Sequence, residues 1–191
     1  MAVNSNNVFI GGPDQATTGA ILSGAGALPT TIAGTIPGTF VESGYISEDG
    51  LKLTPSISTE SIKDWSGKEI RKVLTEFTGE LSWAHLELNA ASLGNYFGDA
   101  NVTTTAATSG HGTQYSVKLK GEDLPTKEWI FKIKDGNKKI LITVPFGQVT
   151  DRGEIEFVSS SAITLPVTLS TYPDANGVSV YIYTDDGVVT A

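Results

Sequence analysis

Between residues 73 and 85 the chain alternates with a period of two. Phe77, Leu81 and Trp83 fall on one parity, and Glu76, Thr78, Glu80 and Ser82 on the other. Successive side chains of a strand point to opposite faces, so this spacing specifies a strand with one face in a core and the other in water. The pattern recurs downstream. Residues 114–120 set Tyr115, Val117 and Leu119 against Ser116, Lys118 and Lys120, and residues 127–134 set Trp129, Phe131 and Ile133 against Glu128, Ile130 and Lys132. Asp135-Gly136-Asn137 then supplies a hairpin turn, and Ile140, Ile142 and Val144 return to the core. Further strands are expected at 154–158, with Ile155 and Phe157 inward, at 163–169, with Ile163, Leu165, Val167 and Leu169 inward, and at 178–184, with Val178, Val180 and Ile182 inward. Pro166 inside an apolar run marks an edge or a bulge.

Helical signals are sparse. Residues 89–97 place Leu93 and Phe97 four apart, with Gly98 as a C-terminal cap, and a second helical turn is expected at 59–64, capped by Ser58 or Thr59. Several short strands, frequent turns and one short flanking helix predict a mainly β fold, a β-sandwich or barrel. A length of 191 residues suits one domain with a single core. Up to residue 41 the only charged side chain is Asp14. Residues 1–40 therefore read as an extended, low-charge N-terminal arm that lies along its own domain or a neighbouring subunit, and 41–191 as the β domain. Residues 98–112 lack period and core residues and read as a long loop.

Reactive constellations are missing from the sequence. With no cysteine there is neither a disulfide framework nor a thiolate metal site. A formal charge of −8 opposes binding nucleic acid through phosphate neutralisation, while permitting a surface past which DNA slides. No basic leader precedes an apolar segment, and no apolar run approaches the roughly 20 residues that span a bilayer; no membrane partner is expected. His85 and His111 have no ligating neighbour at helical or hairpin spacing. No Gly-x-Ser-x-Gly elbow occurs, and Ser66-Gly67-Lys68 and Gly24-Ala25-Gly26 lack the surroundings of a phosphate loop. Glu48-Asp49 and Asp185-Asp186 each precede a glycine and read as turns, not calcium ligands. No cofactor or enzymatic activity is expected. Trp83 and Trp129 share parity with core residues, which leaves Trp65, in a polar stretch, as a contact residue.

Longer motifs speak to function. Ala27-Leu28-Pro29-Thr30 and Phe40 precede Tyr45-Ile46-Ser47-Glu48-Asp49-Gly50-Leu51-Lys52-Leu53; Ser58-Thr59-Glu60-Ser61-Ile62-Lys63-Asp64-Trp65 follows, then the alternating run 70–88 and the helical patch 89–97. This order, up to about Tyr172, resembles the major tail protein, or tail tube protein, of long-tailed bacteriophages. The resemblance implies a structural virion protein: two sheets in a sandwich flanked by a helix, hexameric rings, and rings stacked into a tube for DNA ejection. It implies sheets joined edge to edge around an acidic channel, for which the polar face Glu76, Thr78, Glu80 and Ser82 is the lumen candidate, the competing assignment placing this face on the tube exterior. It also implies a long hairpin reaching toward the adjacent ring, with Trp65, Lys68, Glu69, Arg71 and Lys72 as contact candidates; the arm at 1–40 is the other candidate for that contact. The implied partners are further copies of the chain, a tape measure protein, tail chaperones, a tail terminator and double-stranded DNA in transit. The implied location is the phage tail, after assembly in the bacterial host cytoplasm. The alternative is a monomeric β-sandwich binding or adhesion module that uses Trp65 and the 98–112 loop.

Overall fold

A computed structural model describes residues 8–14 and 19–189. In chain order the elements are β1 (Ile21–Gly24), β2 (Val41–Glu42), β3 (Lys52–Lys63), β4 (Glu69–His85), α1 (Ala90–Phe97), a 3₁₀ turn (Asp99–Asn101), β5 (Val102–Thr105), β6 (Gln114–Val117), β7 (Lys127–Asp135), β8 (Lys138–Arg152), β9 (Leu165–Tyr172) and β10 (Tyr181–Asp185). The fold is mainly β and antiparallel. One sheet runs β2-β1-β7-β8-β9-β4-β3, and β10 adds to the first half of β8, while β5 and β6 form a separate pair.

The main sheet closes on itself. Ser43 N–H donates to the Ile21 carbonyl, and four residues later Ser47 N–H donates to the Ala84 carbonyl, while Leu86 N–H donates to that of Tyr45. Residues 41–47 thus pair first with β1 and then with the end of β4, joining two strands that lie far apart in the sheet order. Gly44 makes the transition, with φ 82° and the Glu87 carboxylate where a Cβ would stand. Closure brings inner faces together: Trp83 of β4 lies edge-on to Trp129 and Phe131 of β7, each 5.4 Å between ring centroids. Ile21, Leu81, Val144, Leu165, Val167 and Leu169 fill the same interior. Helix α1 covers one end with Leu93 and Tyr96. Asn89 caps it in a reciprocal box with Ser92, 2.9 and 3.0 Å, and Gly98 ends it at φ 94°. Asn89→Ala is expected to cost about 1 kcal/mol in chemical denaturation, with an unchanged denaturant slope.

His85 occupies the closing seam. It is fully buried, and its Nε2 accepts a hydrogen bond from Trp83 Nε1–H at 2.9 Å, which requires an unprotonated ring. Burial pushes its pKa from the ordinary 6.5 down to about 4. Because the folded value lies below the unfolded one, the unfolded chain takes up the proton first as pH falls. This group's contribution is therefore full above pH 6.5 and is lost between 6.5 and 4, by about 3 kcal/mol in all. His85→Gln keeps an acceptor without titrating. The difference in unfolding free energy between wild type and variant is expected to shrink across that window; a pH-independent difference would refute the assignment.

Several expectations are corrected. Residues 59–63 form strand, not a helical turn, because they pair with β4, and Asp64 opens the turn that follows. Residues 154–158 form no strand: both edges of β9 are taken, by β8 and β4, and Phe157 is exposed. Segment 98–112 is not a structureless loop but a 3₁₀ turn, β5 and a tight Thr108–His111 bridge leading to β6. Tyr115 and Leu119 are exposed and Val117 alone of the three packs inward. Ile182 is exposed as well, since β10 lies at an edge. Pro166 sits in an interior strand, tolerated at the second residue of β9. Within the expected arm, Ile21–Gly24 is a sheet strand with Ala20, Ile21 and Leu22 buried, and residues 12–14 continue along β7 through Lys134 N–H to Gly12 O and Asp14 N–H to Lys132 O. Residues 1–7 and 15–18 lie outside the described residues.

Candidate assembly surfaces

Strand β4 outruns its neighbours. It pairs with β9 only from Gly79 to His85, so among the described residues the ten before Gly79 have β3 as their single strand partner. At about 3.3 Å per residue this is a two-stranded projection roughly 30 Å long. It is exposed almost throughout, and an isolated hairpin of this kind is marginal in water. Its register explains an inversion of faces. Ile57 faces Phe77, but a bulge at Thr75 then sets Thr59 opposite Leu74 and Glu60 opposite Val73. One extra residue exchanges the faces beyond it. Leu74 therefore joins Ile57 and Phe77 in an apolar stripe, whereas Val73 moves to the other side. Phe77, expected in the core by parity, is 50% exposed because no strand lies over it; Ile57 is 63% exposed.

The turn at the end of the hairpin is tightly built. Asp64 Oδ1 accepts from Ser66 Oγ at 2.6 Å and from Lys68 N–H at 2.9 Å, while Asp64 N–H donates to Lys68 O at 2.9 Å. The Ser66 hydroxyl first, then the Lys68 amide, hold the Asp64 carboxyl below its ordinary range. Trp65 stands on this turn with 104% relative exposure. The structure brings the other contact candidates around it. Lys68, Glu69, Arg71 and Lys72 are all exposed, with Glu69 accepting from Ser61 Oγ at 2.8 Å and lying 4.0 Å from Lys72 Nζ.

Glu76, Thr78, Glu80 and Ser82 share one face of β4, opposite Ser58, Ser56, Thr54 and Lys52 of β3. The polar face continues onto the next strands: Glu80 pairs with Ser170 and Ser82 with Thr168, and Thr150 and Ser170 share a 2.7 Å hydroxyl contact. Tyr172 OH donates to Gln148 Oε1 at 2.9 Å. Neither Glu76 nor Glu80 takes part in an ion pair among the described residues.

At the far end of β4, past His85, a recess of about 540 Å³ opens between the start of α1, the end of β1 and the start of β7. Ala25, Val41, Ala90, Ala91 and Pro125 supply apolar wall. Its floor is a buried network: Ser23 Oγ donates to Asn95 Oδ1 at 2.9 Å, and Asn95 Nδ2 to Ser43 Oγ at 3.1 Å. Lys127 Nζ lies 2.7 Å from Asp99, and Glu128 is also on the lining. Sequence reading missed this recess, since its wall comes from four separated segments of small residues.

Among the described residues no three His, Cys, Asp or Glu side chains gather into a possible metal site, and no helix is long and apolar enough to cross a membrane. The surfaces that distinguish the molecule are the projecting hairpin with its charged turn, the polar face of β4 and the recess. The family model for phage tail tube proteins matches residues 1–190, and the chain belongs to that family. It is a structural protein of a phage tail. No curated protein sequence matches it. Among solved structures it is similar to the tube-terminating cap of an anti-feeding prophage (12% identity, 97% of this chain and 100% of that one, TM-score 0.46). It is also similar to a chain of the sheath-tube complex of an extracellular contractile injection system in its extended state (11% identity, 95% and 98%, TM-score 0.40).

Proposed function

We propose that this protein assembles as hexameric rings that stack into the tail tube, the conduit through which DNA leaves the phage. The observation that carries the reading is the projecting β3–β4 hairpin: it offers two unpaired backbone edges and an apolar stripe that the domain itself does not cover. Unpaired edges are a liability unless another chain occupies them. Joining the hairpins of neighbouring subunits would complete the edges and shield Ile57, Leu74 and Phe77. The same joining would line a channel with Glu76, Thr78, Glu80 and Ser82, whose carboxylates repel phosphate. The charged turn around Trp65, with Lys68, Glu69, Arg71 and Lys72, serves contacts to the next ring, where many weak pairs add. A tape measure protein, tail chaperones and a terminator are the expected further partners, with assembly in the bacterial cytoplasm. Negative-stain microscopy of purified protein over a concentration series is expected to give hollow rings and tubes with sixfold end views. A strictly monomeric protein at every concentration would count against the proposal.

A further inference from the structure

Among the described residues the fold carries its most exposed large apolar side chain, Trp65, at one end and a partly apolar recess at the other. Strand β4 runs from the hairpin turn to His85, and α1, whose first residues wall the recess, begins five residues later. Strand β7 points the opposite way, so its start, Lys127 and Glu128, also lies at the recess end. The turn and the recess therefore face opposite directions along one strand. A protrusion at one end and a hollow at the other make a head-to-tail contact that repeats without closing.

We infer that this recess receives the hairpin turn of a second copy of the chain, with Trp65 as the inserted side chain. The inference rests on the stacking reading above and names its receptor. Three observations converge on that occupant. Trp65 is held fully in solvent on a turn already ordered by Asp64, so insertion costs little ordering and removes a large apolar surface from water. Ala25, Val41, Ala90, Ala91 and Pro125 give the recess an apolar wall, and the Asp99 and Glu128 carboxylates on its lining can accept from the indole N–H, a group that can only donate. Charge is complementary. The turn region carries Lys63, Lys68, Arg71 and Lys72 against Asp64 and Glu69, a net positive end on a chain of −8, whereas the recess has Asp99 and Glu128 against Lys127 alone.

The chain has no cysteine, which permits a direct test on assembled tubes. Ser66→Cys and Ala90→Cys are combined in the full chain, next to the inserted residue and on the rim of the recess. Mild oxidation of tubes is expected to give a ladder of covalent multimers, with a peptide joining positions 66 and 90 identified by mass spectrometry. Tubes that form but yield no such link would overturn the receptor assignment and leave hairpin stacking intact. A second measurement covers variants that fail to assemble. Trp65→Ala lacks the plug and Ala91→Trp fills the socket, so neither is expected to stack alone. Mixed, they can form one junction only, between the intact turn of Ala91→Trp and the intact recess of Trp65→Ala, and growth stops at paired units in mass photometry. Tubes from Trp65→Ala alone would overturn both the receptor and the role of the turn.

Discussion

Deleting residues 65–68 is expected to yield a folded subunit that forms no tubes. The four residues sit beyond the paired part of the hairpin, and their internal hydrogen bonds are confined to the turn that Asp64 organises. None of them packs on the core, so unfolding free energy should stay within about 0.5 kcal/mol of wild type. Assembly depends on them far more steeply. A well-buried tryptophan anchor contributes about 2 kcal/mol or more to a contact. Repeated around a ring, losses of that size add to about 12 kcal/mol per junction, many orders of magnitude in the stacking constant. Circular dichroism and a thermal melt check the fold; negative-stain microscopy checks the tubes. Abundant tubes from the deletion variant would remove the turn from the stacking interface.

Reversing charge at the polar face is expected to separate assembly from delivery. Glu76→Lys with Glu80→Lys replaces two carboxylates that face Ser58, Thr54 and Ser170 and have no cationic partner among the described residues, so no buried charge is orphaned. Tubes should form with normal appearance. If the face lines the channel, every ring then presents ammonium groups to passing phosphates, and the gain from released counterions turns sliding into binding. Plaque titre is expected to fall on the order of 100-fold or more, with DNA retained in particles whose tails look intact. Normal titre and normal release in vitro would place this face on the exterior instead.

Much of this architecture was legible from period-two alternation, and its failures share one cause. Leu81, Trp83, Trp129, Phe131, Leu165, Val167 and Leu169 have inward parity and are buried, because each lies where another strand or α1 covers its face. The helix at 89–97 was equally clear, since its N-cap, apolar spacing and terminal glycine agree. Alternation reports which way a side chain points, not what stands opposite. Phe77 has the parity of Trp83 but lies beyond the reach of β9. Ile130 has the parity of Glu128 yet is buried, because residues 28–40 fold over that side and form a second cluster with Leu22, Phe40 and Leu141. The bulge at Thr75 has no local marker, so the exchange of Val73 and Leu74 could not be read from spacing. A tryptophan among charges was conspicuous in the sequence at 65–72. The recess was not, because its parts meet only in three dimensions.

The seam at residues 41–47 bears on timing. By pairing with both β1 and β4, that segment lets one molecule complete its barrel alone, with a rate set by its own chain and independent of concentration. If the subunits assemble as proposed, polymerisation is then a later, concentration-dependent event between finished parts. A cell can accumulate such subunits without committing them, and the length of the final structure becomes a matter of where growth is started and stopped, not of how fast each copy folds.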